Sequence, residues 1–203
     1  MSRILVLGCP GTGKTRLARM LAACTGLPLH HLDDEHWGPS WTRPSDADWR
    51  ARQAELVAGD AWIVEGNYAP TIPVRAARAQ LAVVIDAPTA TCLVRVVRRA
   101  WRIRRGALDG LPARIREQAA AGLRVRATKD FRALLKKVFF FRGRDFWDVI
   151  DRAAAGGATV LVVSASGRPP RRRDPGPVPR HLPLTELEPL VTALCRGVSH
   201  HRF

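Results

Sequence analysis

The opening stretch from Ile4 to Thr15 constrains this chain more than any other feature. Ile4-Leu5-Val6-Leu7 is a continuous aliphatic run, which reads as a buried parallel strand. It leads directly into Gly8-Cys9-Pro10-Gly11-Thr12-Gly13-Lys14-Thr15, which matches G-x-x-x-x-G-K-[ST]. Leu17, Met20, Leu21 and Cys24 then recur at helical spacing until Gly26 and Pro28 stop the helix. The glycines let the backbone curl so that successive N–H groups face one anion. The start of the following helix aims its positive end at the same place. Residues Gly8, Cys9, Pro10, Gly11, Thr12, Gly13, Lys14 and Thr15 are therefore expected to bind nucleotide phosphates. Lys14 would reach the β- and γ-phosphates, and the Thr15 hydroxyl would ligate Mg²⁺.

Four further strands are expected over 28–32, 61–65, 81–86 and 159–163. Helices are expected between them: one opened by a Ser45/Asp48 capping box and running to Gly59, one capped by Thr89 and running to about Arg105, and two over 130–141 and 145–155. Residues 106–129 lack clear periodicity. Strands alternating with helices predict an α/β fold with a five-stranded parallel sheet. Residues 167–183 hold six prolines and five arginines, so a solvated linker is expected there, followed by a terminal helix over 185–195.

With 203 residues, 46% hydrophobic and 25% charged, the chain excludes wholesale disorder, a coiled coil, a collagen and a disulfide scaffold. No window reaches the ~18 apolar residues of a membrane span. Cys9, Cys24, Cys92 and Cys195 stand apart without metal-ligand or redox spacing, and no secretory signal is present, so a cytoplasmic location is expected.

Charge is unevenly spread. The net charge is +15, yet residues 1–94 carry nine basic and nine acidic side chains, and residues 95–150 carry sixteen and five. Within 89–105, Leu93, Val96, Val97, Ala100 and Trp101 form one expected apolar stripe, while Arg95, Arg98, Arg99 and Arg102 share another face. Clustered cations repel one another, so the arrangement makes sense if polyanions come to it. Arg forks suit phosphate and offset the charge that moves during phosphoryl transfer. A solvated basic face is the plainer alternative.

Ligands of open α/β sheets bind beyond the carboxyl ends of the strands. At such an end stands Leu32-Asp33-Asp34-Glu35-His36-Trp37; Asp33 can hold an acceptor hydroxyl and help remove its proton, unless it caps a loop. His36 is equally readable as a packing residue, and His30 and His31 as structural. The third strand ends Glu65-Gly66-Asn67-Tyr68, where Glu65 can hold Mg²⁺ through water. Trp37, Trp41, Trp49 and Trp62 read either as a hydrophobic roof over an acceptor cleft or as a stacking wall.

Together these residues resemble the adenylate-kinase-like P-loop kinases, and most of all the DNA topology modulation proteins. In that group a phosphate loop precedes Leu-Asp-x-x-His-Trp, a Trp-rich stretch and Asp/Glu-Gly-Asn-Tyr. Here Leu32-Asp33 with His36-Trp37, and Glu65-Gly66-Asn67-Tyr68, stand in that order. The resemblance covers residues 3–105 and implies a three-layer P-loop NTPase fold with a mobile lid over about 104–145 inside a 1–166 domain. Residues 167–183 would then be a linker and 184–203 a C-terminal helix and tail. It implies that Arg95 and Arg99 face the phosphates, that Arg114, Arg116, Arg124 or Arg126 supply lid cations, and that Ser164-Ala165-Ser166-Gly167 lies near the adenine. Where adenylate kinases carry the acceptor arginine, Tyr68-Ala69-Pro70 stands instead, which speaks against AMP as acceptor.

The expected activity is a Mg²⁺- and ATP-dependent kinase acting on a small-molecule or nucleotide hydroxyl or phosphate, with Lys14, Asp33, Arg95 and Arg99 catalytic and Thr15 and Glu65 at the metal. The alternatives are a nucleic-acid-associated P-loop NTPase or polynucleotide kinase using the basic segment 95–144, and a regulatory ATP-binding module.

Overall fold

The computed structural model describes residues 1–123, 125–126, 128–165, 179–186, 189 and 191–192. Six parallel strands form one sheet: β1 (Arg3–Gly8), β2 (Leu29–His31), β3 (Trp62–Glu65), β4 (Leu81–Asp86), β5 (Thr159–Ser164) and β6 (Arg180–Pro183), in the order β2-β3-β1-β4-β5-β6. The expected sheet had five strands. The sixth, β6, lies inside the segment expected to be a linker, where Arg180–Pro183 pairs with Leu161–Ser164. Proline is tolerated there because β6 lies at the sheet edge. The remainder of the 167–183 segment, and most of the expected terminal helix, fall outside the described residues; Leu184–Glu186 make a single 3₁₀ turn.

Eight α-helices have both ends among the described residues: α1 (Lys14–Thr25), α2 (Leu32–His36), α3 (Asp46–Leu56), α4 (Ile72–Ala76), α5 (Thr89–Arg104), α6 (Ala113–Ala120), α7 (Phe131–Phe140) and α8 (Phe146–Ala155). Alternate residues of the central strands supply two cores. Leu5, Leu7, Val64, Val84 and Val162 pack with Phe146, Val149 and Ile150 of α8 on one face. Ile4, Val6, Ile63, Val83 and Val163 pack with Leu17, Ala18 and Leu21 of α1 on the other. Both faces being covered explains why these strands are apolar at every position.

Local signals account for most boundaries. Ser45 caps α3, its Oγ accepting from the Asp48 backbone N–H at 3.1 Å. Gly26 ends α1 in the left-handed conformation at φ 68°. Thr89 does not cap α5: it is the first helical residue, after Pro88, and no side chain caps that end. The helices expected over 130–141 and 145–155 join through a π turn, Phe141–Asp145. Within the stretch without periodicity, α6 forms because tertiary contacts supply what its pattern lacks: Asp34 accepts the Ala113 N–H at 2.6 Å, and Ile115 packs with Ile103, Leu111 and Trp41.

The stripe expected along α5 is turned in the structure. Cys92, Val96 and Ile103 are buried, whereas Val97 and Trp101 are exposed. Cys9 and Cys92 are free and buried, and Cys24 is disulfide-bonded. The cysteines therefore do not argue for a reducing compartment. Among the described residues no helix is long and apolar enough to cross a membrane.

Candidate active site

The chain passes from β3 on one side of β1 to β4 on the other, so the sheet switches direction of growth at β1. The crevice at such a point is where α/β sheets bind ligands. The loop from Gly8 to Gly13 occupies it. Gly8 and Gly11 have φ of 138° and 90°. A Cβ on Gly8 would stand 2.4 Å from the Ile85 carbonyl oxygen, and one on Gly11 would stand 2.6 Å from that of Cys92. Glycine is required at both positions by conformation and by space. The Thr12 hydroxyl donates to Cys9 O at 2.8 Å, and Asn67 Oδ1 accepts the Gly8 N–H at 2.8 Å.

In-register pairing delivers the neighbouring acid. Val6 is opposite Glu65, and Glu65 is opposite His31. Glu65 Oε1 lies 3.7 Å from Lys14 Nζ, while its Oε2 lies 3.2 Å from the Thr15 hydroxyl and 3.0 Å from His31 Nδ1. Burial works to raise the Glu65 carboxyl, but His31, Lys14 and Thr15 outweigh it and hold the group below the ordinary carboxylate range. His31, expected to be structural, thus bears directly on the site. Its alternation along a three-residue strand carried no signal of that.

The loop after β3 is pinned by a residue that the sequence reading passed over. Arg75 of α4 is fully buried and donates to the carbonyls of Gly66 (2.9 Å), Asn67 and Tyr68 (3.5 Å). Burial lowers its pKa to about 9, so it remains a cation at neutral pH. Tyr68, at φ 43°, directs its hydroxyl to Asp33 Oδ1 at 2.8 Å. Burial, then Asp33, push the Tyr68 phenol well above its usual pKa, so it stays protonated and donates.

A cleft of about 400 Å³ opens between the phosphate loop and these residues. Lys14, Thr15, Asp33, Glu65, Arg95 and Arg99 all line it. Arg95 donates to the carbonyls of Gly11 (3.1 Å) and Thr12 (3.4 Å), bracing the loop from α5. Arg98 and Arg102 do not line the cleft, and Arg102 instead forks onto Asp109 at 2.8 and 2.9 Å. Neither do Arg114, Arg116 or Arg126, and Arg124 lies outside the described residues. The cation from this part of the chain is Lys137 of α7. The protein around its ammonium, then Lys14, lower its pKa, and Asp33 opposes them. Its position within an otherwise ordinary basic helix gave no separate signal.

The tryptophans divide. Trp37 and Trp41 line the cleft, with ring centroids 5.3 Å apart. Trp49 is buried behind them, and Trp62 is buried in the core with its N–H donated to Gly59 O at 3.1 Å. His36 packs among Trp37, Trp49 and Tyr68 with centroids 4.6 to 4.7 Å away, and burial lowers its pKa. It is a packing residue. Asp86, at the end of β4, is bound by Arg142 of the π turn through two 2.8 Å bonds and by Ser164 at 3.1 Å. That buried fork ties the far end of the 104–145 segment to the sheet.

A second cavity of about 860 Å³ lies across the phosphate loop, lined by Thr12, Arg16, Met20, Thr91 and Ala165, and it shares Arg95 with the first. Ser166 and Gly167, expected near it, lie outside the described residues.

No family model and no curated protein matches the chain. Among solved structures it is similar to a shikimate kinase from Acinetobacter baumannii in complex with shikimate (TM-score 0.49, 16% identity, 100% of this chain and 96% of that one). It is also similar to a shikimate kinase from Bacteroides thetaiotaomicron (0.45, 14%, 98% of each) and to a gluconokinase from Sinorhizobium meliloti 1021 (0.43, 15%, 98% and 92%). At these scores and identities the chemistry of the cleft rests on this chain's own residues.

Proposed function

We propose that this protein transfers the γ-phosphoryl group of Mg-ATP to a hydroxyl of a small molecule. The observation that carries the reading is the convergence of Lys14, Thr15 and Glu65 on one side of the cleft with Asp33 on the other. The nucleoside end would occupy the second cavity, where Arg16 and Thr91 stand beside the phosphate loop.

The metal fits the donors present. Mg²⁺ takes oxygen ligands and typically keeps waters, one or two carboxylates and substrate phosphates. Thr15 and an ionised Glu65 offer such oxygens 3.2 Å apart beside the loop. Held by Thr15 and Glu65, the ion would supply positive charge against that of the β- and γ-phosphates. Lys14, Arg95, Arg99 and Lys137 would hold the transferring group, and their field is worth most where water is excluded. Asp33 would accept the proton of the attacking hydroxyl, with Tyr68 fixing the carboxylate's direction. The segment 104–145 would act as the lid that keeps water out.

The basic excess of residues 95–150 motivated a nucleic-acid reading; part of it is engaged within the protein, while Arg98, Arg104, Arg114, Arg116, Arg132 and Lys136 are exposed. Arg95, Arg99 and Lys137 turn into the cleft, while Arg102, Arg142 and Arg144 are paired with Asp109, Asp86 and Asp145. A cytoplasmic location is part of this proposal.

Release of ADP from Mg-ATP in the presence of pooled hydroxyl compounds tests the activity; no ATP binding by calorimetry would end it. Glu65→Gln is expected to raise the Mg²⁺ concentration for half-maximal nucleotide binding about tenfold, read by magnesium titration. Because the Glu65 carboxyl is depressed, its contribution is in place above the ordinary carboxylate pKa of about 4.3 and fades only as pH falls through the lower folded value. The ratio of magnesium affinities of the parent and Glu65→Gln proteins should therefore stay level from pH 7 to about 5. Lys137→Met is expected to lower kcat about 10- to 100-fold in steady-state assays. An unchanged kcat would remove α7 from catalysis.

A further inference from the structure

We infer that the groove between α5 and the start of α7 binds a compact polyphosphorylated small molecule, at a site of its own beside the cleft. A third cavity, of about 1230 Å³, lies there. Its described lining carries four cations: Arg104 from the end of α5, Arg126 and Lys129 from the connection before α7, and Arg132 from the first turn of α7. The phosphotransfer reading uses none of them.

The first observation is that this charge is uncompensated. Among the described residues, no ion pair joins Arg104, Arg126, Lys129 or Arg132 to a carboxylate. Asp130 is the one acid in the described lining, and it is engaged as the cap of α7, accepting the Ala133 N–H at 3.0 Å.

The second observation is that helix polarity does not explain the pattern. The last turn of a helix favours a cation, which accounts for Arg104 on α5. The first turn disfavours one, yet Arg132 stands in the first turn of α7 with Lys129 just ahead of it, and that turn holds no acid after the cap. The N–H groups that open α7 add to the same positive field. A local preference overridden in this way marks a functional site rather than a stabilising one.

The third observation is the shape. A solvated basic face spreads its charge along one helix, whereas these cations come from three segments and meet around one hollow. Ala100, Ile103 and Phe131 supply apolar lining beside them. A carbon skeleton suits that surface, and phosphate oxygens suit the guanidinium forks. Cations gathered around a hollow fit clustered phosphates; an extended strand calls for them in a row.

The groove and the cleft share a wall. Thr128 lines both, and Lys129 Nζ lies 5.9 Å from the centroid of the Trp37 ring, which lines the cleft. Helix α5 sends Arg95 and Arg99 to the cleft and Arg104 to the groove, and α7 sends Lys137 to the cleft and Arg132 to the groove. A polyanion bridging Arg104 and Arg132 thus ties together the two helices that carry the cleft cations.

The test uses the full chain in low-salt, metal-free buffer, with inorganic pyrophosphate as the probe and calorimetry as the readout. Pyrophosphate also fits the phosphate loop, so it is titrated with and without saturating ADP. A pyrophosphate site that ADP leaves in place is expected. Arg104→Ala combined with Arg132→Ala should weaken that site about tenfold or more, with ADP affinity within about twofold of the parent. Arg104→Lys with Arg132→Lys should recover part of the loss, because the charge is kept and the forks are not. Complete displacement of pyrophosphate by ADP overturns the inference, and so does unchanged pyrophosphate affinity in the alanine variant. A single-stranded oligothymidylate is the last arm. Binding that strengthens with its length and exceeds that of pyrophosphate overturns the compact ligand and makes the groove a nucleic-acid track. ADP that does not bind overturns the phosphotransfer reading instead, and the alanine variant still decides the groove.

Discussion

Lys14→Ala is expected to cut phosphoryl transfer about 10³-fold, with the melting temperature within a few degrees of the parent protein. Lys14 is partly buried, donates to Cys9 O at 3.3 Å and lies 3.7 Å from Glu65. Removing it costs the fold little, because Glu65 keeps its bonds to Thr15 and His31. It costs the reaction far more, because an ammonium facing the β- and γ-phosphates meets charge that builds up only as the group moves. The loss should fall on kcat and kcat/KM together, which marks an interaction made mainly in the transition state. Turnover within about threefold of the parent would remove Lys14 from the reaction.

Arg75→Met is the substitution expected to damage the fold most, by about 3 kcal/mol, which lowers the melting temperature of a chain this size by about 10 °C. The guanidinium is the donor for carbonyls at Gly66, Asn67 and Tyr68. A thioether fills the space and leaves those oxygens buried without it. Relief of an unpaired buried cation offsets part of the loss, which is why the expected figure stays below the sum of the bonds. Arg75→Lys should recover little, since one ammonium nitrogen cannot span the three carbonyls that two guanidinium nitrogens reach. Both variants should also lose activity beyond their stability loss. The same loop carries Asn67 to the Gly8 N–H and Tyr68 to Asp33. Thermal melts and activity measured well below the transition separate the two effects. A melt unchanged by Arg75→Met would show that other donors serve the loop.

The parts of the site visible in the sequence are those tied to it by local rules. A strand followed by G-x-x-x-x-G-K-T must turn tightly, and the glycine conformations at Gly8, Gly11 and Gly13 follow from that turn. Glu65 could be singled out because it ends an aliphatic strand, and the parallel register then sets it beside Val6 and His31. The sixth strand escaped notice for the opposite reason. Arg180–Pro183 has the composition of a solvated linker, and only the open edge of β5 makes it a strand. Helix α6 likewise depends on Asp34 and Trp41, residues more than seventy positions away.

What the sequence determined alone was the order of elements, the phosphate loop and the acidic strand ends, because each is written in residues adjacent along the chain. Which arginines turn inward, that Lys137 joins Lys14, that His31 touches Glu65 and that Arg75 holds the loop after β3 were decided only by the folded chain. Those facts depend on the rotation of helices about their axes and on the packing of distant elements. Helix rotation is settled by which side chains fill the core, and on α5 that choice fell on Cys92, Val96 and Ile103, which leaves Val97 and Trp101 of the expected stripe exposed.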